Sequence, residues 1–350
     1  MKRDNIHFTF RTVDGYKKPF VFVISAREAG KSTAFWLDKA YKKWKDNRQT
    51  TLVIKRTIVG ITSAYIDSIG YIIKKFNPSD EVELHYKKGD IKDGVILVTL
   101  NGEPFIAVVA LSASIDRIKS LILPNIGCMV FDEFINNKKF GEKYLNDEVT
   151  RFKEVYNTFY RETEEMMTCY FLGNPYSKYN PYFLHFGVDV TKLKQGAIVS
   201  GPNWVVQCYD LSQELRDYIL SRNPLYQFDD SYTQYAFNGQ SVNDAHIKIS
   251  MTLPRCFKLQ FVVRMQGKYI GFFLNSNVTN NSDIWHCRFL DEVKRDFICF
   301  DFNELVDGGA MVSRTDFWQF VSFKAAMQRR LVSFSDVNVY NLAEAIYYYL

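Results

Sequence analysis

Short apolar runs separated by turn signals dominate the first half of the chain and predict alternating buried strands and amphipathic helices. Phe20, Val21, Phe22, Val23 and Ile24 form an unbroken run, as expected of a strand covered on both faces. Ala34, Leu37, Tyr41 and Trp44 then recur at helical spacing, with Lys39, Lys42, Lys43 and Lys45 on the outer surface. Residues 50–56 (TTLVIKR) predict a second strand ending on Lys55 and Arg56. A weaker helical pattern covers residues 58–76. Residues 81–99 alternate and turn at Lys88-Gly89-Asp90 and Asp93-Gly94, as a hairpin does. PFIAVVAL, CMVFDEF and MTCYFL add three buried strands, and residues 145–166 between the last two are helical in pattern. The first twenty or so residues predict a leader strand and a turn at Asp14-Gly15.

Beyond Asp189 the pattern weakens. Residues 190–201 are polar and irregular, residues 212–222 are helical, and FDDSYTQYAFNGQSVND reads as loop. Strand patterns return from Leu259, with a turn at Gln266-Gly267, and continue through IWHCRFL and FICFDF. Ser313 with Asp316 forms a loose capping box before two C-terminal helices. The expected domains are 1–190 (α/β), 191–250 (a linker with a small helical subdomain) and 251–350 (α+β).

At 350 residues, 47% hydrophobic and 24% charged, the chain has the composition of a globular protein. No apolar run reaches the length of a membrane span, and the N-terminus has no signal-peptide core, so a cytoplasmic location is expected. The six cysteines are scattered without C-x-x-C spacing and the five histidines do not cluster, which argues against a zinc site. A net charge of +5 permits a nucleic-acid partner without requiring one.

The chemistry enters with VFVISAREAGKST. A buried strand, a short loop ending in Gly30-Lys31-Ser32-Thr33, and a helix start are the order of a phosphate-binding P-loop. Backbone N–H groups and the helix dipole favour an anion there; Lys31 reaches the outer phosphates and the Ser32 hydroxyl holds Mg²⁺. Ser25 and Glu28 depart from the glycine-rich pattern. The strand CMVFDEF ends in an acidic pair, with Asp132 a second magnesium ligand and Glu133 the general base that polarises water. The strand end Gly173-Asn174 places a polar side chain near the γ-phosphate, and Arg151 or Arg161 is the candidate arginine finger. ATP and Mg²⁺ are the implied cofactors.

SAREAGKST, IKSLILPNIGCMVFDEFI, FYRETEE and FLGNPYSKYNPYFLHFGVDV, in that order, resemble the genome-packaging ATPases of small protein-primed podophages, the phi-twenty-nine-like motors. The similarity is specific from about residue 20 to 190. It implies an ASCE-type P-loop domain with a central, mostly parallel sheet. It also implies a homo-oligomeric, pentameric ring on the portal vertex of a procapsid in the host cytoplasm, driving double-stranded DNA inward and attached through a packaging RNA. By motif position, Arg27 is the arginine inside the P-loop and Asn174 ends the coupling strand. Lys119 and Arg161 face the neighbouring subunit's nucleotide, Arg161 one residue out of register. Lys138 and Lys139 face the pore and touch the DNA backbone, a sequence-independent contact.

In large phage terminases the C-terminal domain is an RNase H-like nuclease. Here the first hairpin offers no Asp or Glu from residue 257 to 278, leaving Asp301 as the one well-placed carboxylate. A two-metal site needs more, so a nuclease-inactive relic is expected. Two other readings stand beside the packaging motor: a P-loop DNA-dependent ATPase of helicase or recombination type, and a catalytically silent nucleic-acid or portal-binding module. Ser25 and Glu28 favour the latter.

Overall fold

A computed structural model describes residues 6–349, apart from 122, 124, 138–140, 162, 164, 165, 179, 229, 230, 240–246, 266, 278–282, 294, 295, 301–304 and 313–316. The chain divides into two compact units, residues 1–178 with 188–243, and residues 179–187 with 244–350. Among the described residues no helix is long and apolar enough to cross a membrane.

The first unit is built on strands β1 (Phe20–Ser25), β2 (Thr50–Lys55), β3 (Leu84–His85), β4 (Val95–Leu100), β5 (Glu103–Ala110), β6 (Ile126–Asp132), β7 (Thr168–Gly173), β8 (Ile198–Ser200) and β9 (Trp204–Tyr209). They form one sheet in the order β3-β4-β5-β2-β6-β7-β1-β9-β8. From β5 to β9 every neighbouring pair is parallel, and antiparallel hairpins close both edges. A parallel sheet is stable only when both faces are covered, and the unbroken apolar runs of β1, β2 and β6 meet that demand. Phe22, Val23, Leu52, Val53, Ile54, Met129 and Phe131 have no exposed surface. The acidic strand β6 is separated from the P-loop strand β1 by β7 alone.

Two expectations fail in this unit. The region 191–250 is not a linker with a helical subdomain, because its residues Trp204–Tyr209 form β9, parallel to β1 in the register Phe20↔Trp204. Val205 and Val206 are fully buried there. The start of the chain is not a leader strand: residues Arg11–Asp14 are helical, with Phe8 and Phe10 buried. The domain boundaries shift accordingly, with residues 188–243 in the first unit and 179–187 in the second.

The second unit carries β10 (Lys248–Ile249), β11 (Phe257–Met265), β12 (Lys268–Asn275), β13 (Trp285–Leu290), β14 (Phe297–Cys299), β15 (Gly309–Met311) and β16 (Val332–Phe334), in the order β10-β16-β13-β12-β11-β14-β15. β11 to β13 form an antiparallel meander, and β14 lies parallel to β11 on its far side. Gly267, at φ +70°, makes the tight turn between β11 and β12. Helices Trp318–Gln328 and Val337–Tyr349 complete a core around Phe272, Trp285, Phe323, Val339 and Ile346. Asp301 and the capping pair Ser313 and Asp316 lie outside the described residues.

Candidate nucleotide-binding site

The ends of β1, β7, β6 and β2 lie side by side, because parallel strands all finish at one edge of their sheet. The P-loop leaves β1 at Ser25 and enters a helix at Lys31 that runs without a break, through a π-type stretch at Trp36–Tyr41, to Asn47. Gly30 caps that helix with φ +85°, a left-handed conformation natural to glycine. A Cβ there would press on the His7 ring at 3.1 Å.

The two departures from the glycine pattern have local explanations. Ser25 is buried, and its hydroxyl donates to the Ala26 carbonyl at 3.0 Å, so its small side chain folds back onto its own loop. Glu28 adopts φ +61°, the left-handed conformation that favours glycine. Its carboxylate accepts hydrogen bonds from Tyr226 Oη at 3.0 Å and Asn223 Nδ2 at 3.2 Å, tying the loop to the segment after helix Gln213–Arg222. The Arg27 backbone N–H donates to Ala236 O at 2.7 Å in the same region.

Lys31 is buried and donates to Asn174 Oδ1 at 2.8 Å, so the P-loop lysine and the polar end of β7 are in direct contact. Asn174 Nδ2 in turn donates to Tyr176 Oη at 3.3 Å, and Arg27 Nη2 donates to the same oxygen at 3.0 Å. Burial pulls the Lys31 ammonium down to a pKa of about 8, against the raising effect of Asp132 and Glu133. This desolvated cation in a loop cradle would be relieved by an anion.

Asp132 ends β6, and Glu133 follows at φ +62°. The Glu133 N–H donates to Leu172 O at 2.8 Å, fixing the acidic end against β7. Arg56 holds the same turn from the other side, with Nη2 donating to Phe134 O at 2.7 Å and Nη1 to Glu133 O at 3.3 Å. Its Nε donates to both oxygens of Glu148, at 2.9 and 3.1 Å, and Glu148 is buried. Lys55 Nζ lies 3.8 Å from Asp132 Oδ2 and 3.7 Å from the centre of the Tyr65 ring.

The structure therefore brings Arg27, Lys31, Asn174, Asp132 and Glu133 to one edge, with Gly30, Ser32 and Thr33 at the helix start. The Ser32 hydroxyl and the Asp132 carboxylate are hard oxygen donors of the kind magnesium takes, and the cradle with Lys31 suits a polyphosphate. A magnesium nucleotide fits these residues; bound there, the metal would supply charge to a phosphoryl group. Among the described residues no contact joins Lys119 or Arg161 to this constellation. Lys119 is half exposed and pairs with Glu154 Oε2 at 3.7 Å. Arg161 is exposed at the C-terminal end of helix Glu148–Tyr160, two turns beyond Glu154 on the same face. Lys138 and Lys139 lie outside the described residues.

Sequence reasoning noted Lys55 and Arg56 only as a strand end and passed over Tyr65, Glu148 and Tyr176. A signal existed for the first two: a charged pair closing a buried strand of a parallel sheet faces the crevice where ligands bind.

Strand order and loop geometry define a P-loop protein of the ASCE class, with one strand between the phosphate-binding and acidic strands. Within that class, the chain belongs to the Podovirus DNA encapsidation protein (Gp16) family, whose model matches residues 4–348. The DNA packaging protein of Bacillus phage PZA is 29% identical over 165 residues, 45% of this chain and 46% of the relative. That of Bacillus phage phi29 is 28% identical over a stretch of the same length and coverage. The chain thus aligns with just under half the length of these relatives. Among solved structures, the Phi-28 gp11 DNA packaging motor superposes with a TM-score of 0.69 at 15% identity, covering 99% of this chain and 98% of that one. The bacteriophage Phi-29 viral genome packaging motor assembly gives 0.62 at 18% identity, covering 98% and 99%. At these identities the two structures speak for the fold.

Proposed function

We propose that this chain is the ATP-hydrolysing subunit of an oligomeric ring that drives double-stranded viral DNA into a procapsid at the portal vertex. The observation that carries the reading is the convergence of Lys31, Asn174, Asp132 and Glu133 on neighbouring parallel strand ends. Membership of the DNA encapsidation family and the packaging function named for the two phage relatives support the DNA task.

In this reading Lys31, with Arg27 and the Gly30–Thr33 backbone, binds the phosphates. Ser32 and Asp132 hold Mg²⁺, and Glu133 takes the proton of the attacking water. Asn174, in contact with Lys31, stands where its side chain would meet the terminal phosphate or the attacking water. Lys119 and Arg161, both exposed, serve the neighbouring subunit in a pentameric ring, which a packaging RNA tethers to the capsid. Lys138 and Lys139 contact the DNA backbone. The second unit is an RNase H-like relic without nuclease chemistry; a three-strand meander with a parallel strand beside its first strand supports that assignment.

Subunit mixing tests the shared site. Arg161→Ala subunits mixed with Glu133→Gln subunits are expected to recover ATP turnover that neither has alone, because each supplies what its neighbour lacks. No recovery at concentrations where the ring assembles would overturn the trans assignment.

A further inference from the structure

Tyr65 lies in the first turn of helix Ser63–Phe76, where Thr62 caps the helix by accepting from the Tyr65 N–H at 3.1 Å. That cap fixes the backbone from which the ring projects. The ring packs edge-on against Trp36 of the P-loop helix at 6.4 Å between centroids, and the Lys55 ammonium sits over its face. The same ammonium reaches toward Asp132. Tyr65 is thus wedged between the helix that starts at Lys31 and the strand end that carries the acidic pair.

Its hydroxyl is buried and has no hydrogen-bond partner among the described residues. Buried hydroxyls nearly always have one, because the uncompensated loss of water is costly. Burial, reinforced by the charges of Asp132 and Glu133, raises the phenol's pKa well above its ordinary value, so the group stays an O–H donor at any working pH. A donor held under the Lys55 ammonium and within the field of Asp132 and Glu133, at the edge where a magnesium nucleotide would sit, lacks only an acceptor.

We propose that Tyr65 is a nucleotide-contacting residue of this site, its phenol donating to an oxygen of the bound magnesium nucleotide. The acceptor is a terminal-phosphate oxygen. The proposal rests on the nucleotide-binding reading above and adds to it a residue from outside the P-loop, the acidic pair and the β7 end. Lys55 then has a double role, orienting the ring by a cation–π contact and neutralising Asp132 until the metal arrives.

The test is Tyr65→Phe, which keeps the ring, its packing and its contact with Lys55 while removing the hydroxyl. Binding of a non-hydrolysable ATP analogue and of ADP is measured with Mg²⁺ and with EDTA, alongside thermal unfolding of the protein without nucleotide. The variant is expected to unfold at the same or a higher temperature, since an unpaired buried hydroxyl is gone. It is also expected to bind the magnesium triphosphate about tenfold or more weakly, the usual scale for losing a hydrogen bond to a charged group. A loss confined to the triphosphate, with or without metal, assigns the acceptor to the terminal phosphate. A loss in both nucleotides that vanishes in EDTA overturns the terminal-phosphate contact. Unchanged affinity in every arm overturns the proposal, as does an equal loss in all arms together with a lowered unfolding temperature. Failure of the wild-type chain to bind any nucleotide would instead overturn the site's reading itself.

Discussion

In the first unit, β1, β2, β6 and β7 run parallel and finish at one edge, which carries Lys31, Lys55, Arg56, Asp132, Glu133 and Asn174. In the second unit the longest strands form an antiparallel meander, and the buried His286 of β13 is paired with Ser333 of its parallel neighbour β16, its Nδ1 3.0 Å from Ser333 Oγ. The difference follows from where the polar groups stand, gathered past strand ends in the first sheet and paired within the strands in the second. Parallel neighbours gather their last residues on one side, so chemistry written at several strand ends becomes one site. Antiparallel neighbours such as β11 to β13 send theirs to opposite sides. The first sheet gathers charge at one edge; the second pairs His286 with Ser333 inside the sheet.

The comparison breaks most visibly at Arg56. In Arg56→Met the buried Glu148 carboxylate loses the charge that pairs with it, keeping the Leu145 N–H, and the turn at Glu133 loses two hydrogen bonds. Removing one member of a buried ion pair costs about 3–5 kcal/mol, so denaturant unfolding is expected to show a loss of that size together with slower turnover. A loss under about 1 kcal/mol, the scale of an exposed pair, would show that the clamp is not buried in solution.

Lys31 offers a sharper probe. With its pKa lowered to about 8, the lysine is partly neutral above neutral pH in protein without nucleotide. A bound polyphosphate favours the charged form and raises the pKa again, so binding takes up protons. The window opens near pH 8 and extends toward the ordinary value of 10.5; below it the lysine is already protonated and uptake disappears. Calorimetry at pH 8 in buffers of different ionisation enthalpy is expected to show an uptake of about half a proton, absent in Lys31→Met. Buffer-independent heats for the wild type would contradict the desolvated lysine.

The second unit supplies the smallest expected effect. Ser333→Ala leaves buried His286 without its partner and should cost about 1–3 kcal/mol of stability. ATP turnover per folded molecule should not change. A change in turnover would mean that the second sheet shares in the chemistry.

Much of the candidate site's layout was legible in the sequence because each part occupies a contiguous stretch: a buried run followed by Gly30-Lys31-Ser32, another followed by Asp132-Glu133, a third followed by Asn174. Their order along the chain anticipated the α/β fold with a mostly parallel sheet. What was not legible depends on distant residues meeting. Glu28 looked like a defect in the P-loop until Tyr226 and Asn223 were seen to hold it. Tyr65 belongs to a weak helical pattern, and its significance comes from Lys55 and Asp132. β9 was overlooked although Gly201-Pro202-Asn203 is a turn signal and Trp204-Val205-Val206 an apolar run; the polar residues on either side hid a strand that finds its cover only beside β1.

The account's central claim is that these strand ends form one hydrolytic site, with Glu133 as its base. The most direct measurement is steady-state ATP hydrolysis with Mg²⁺ and double-stranded DNA, comparing the wild type with Glu133→Gln while nucleotide affinity is measured in parallel. The account predicts a loss of turnover of about 10²-fold or more with affinity nearly unchanged. Equal turnover in the two proteins would contradict it.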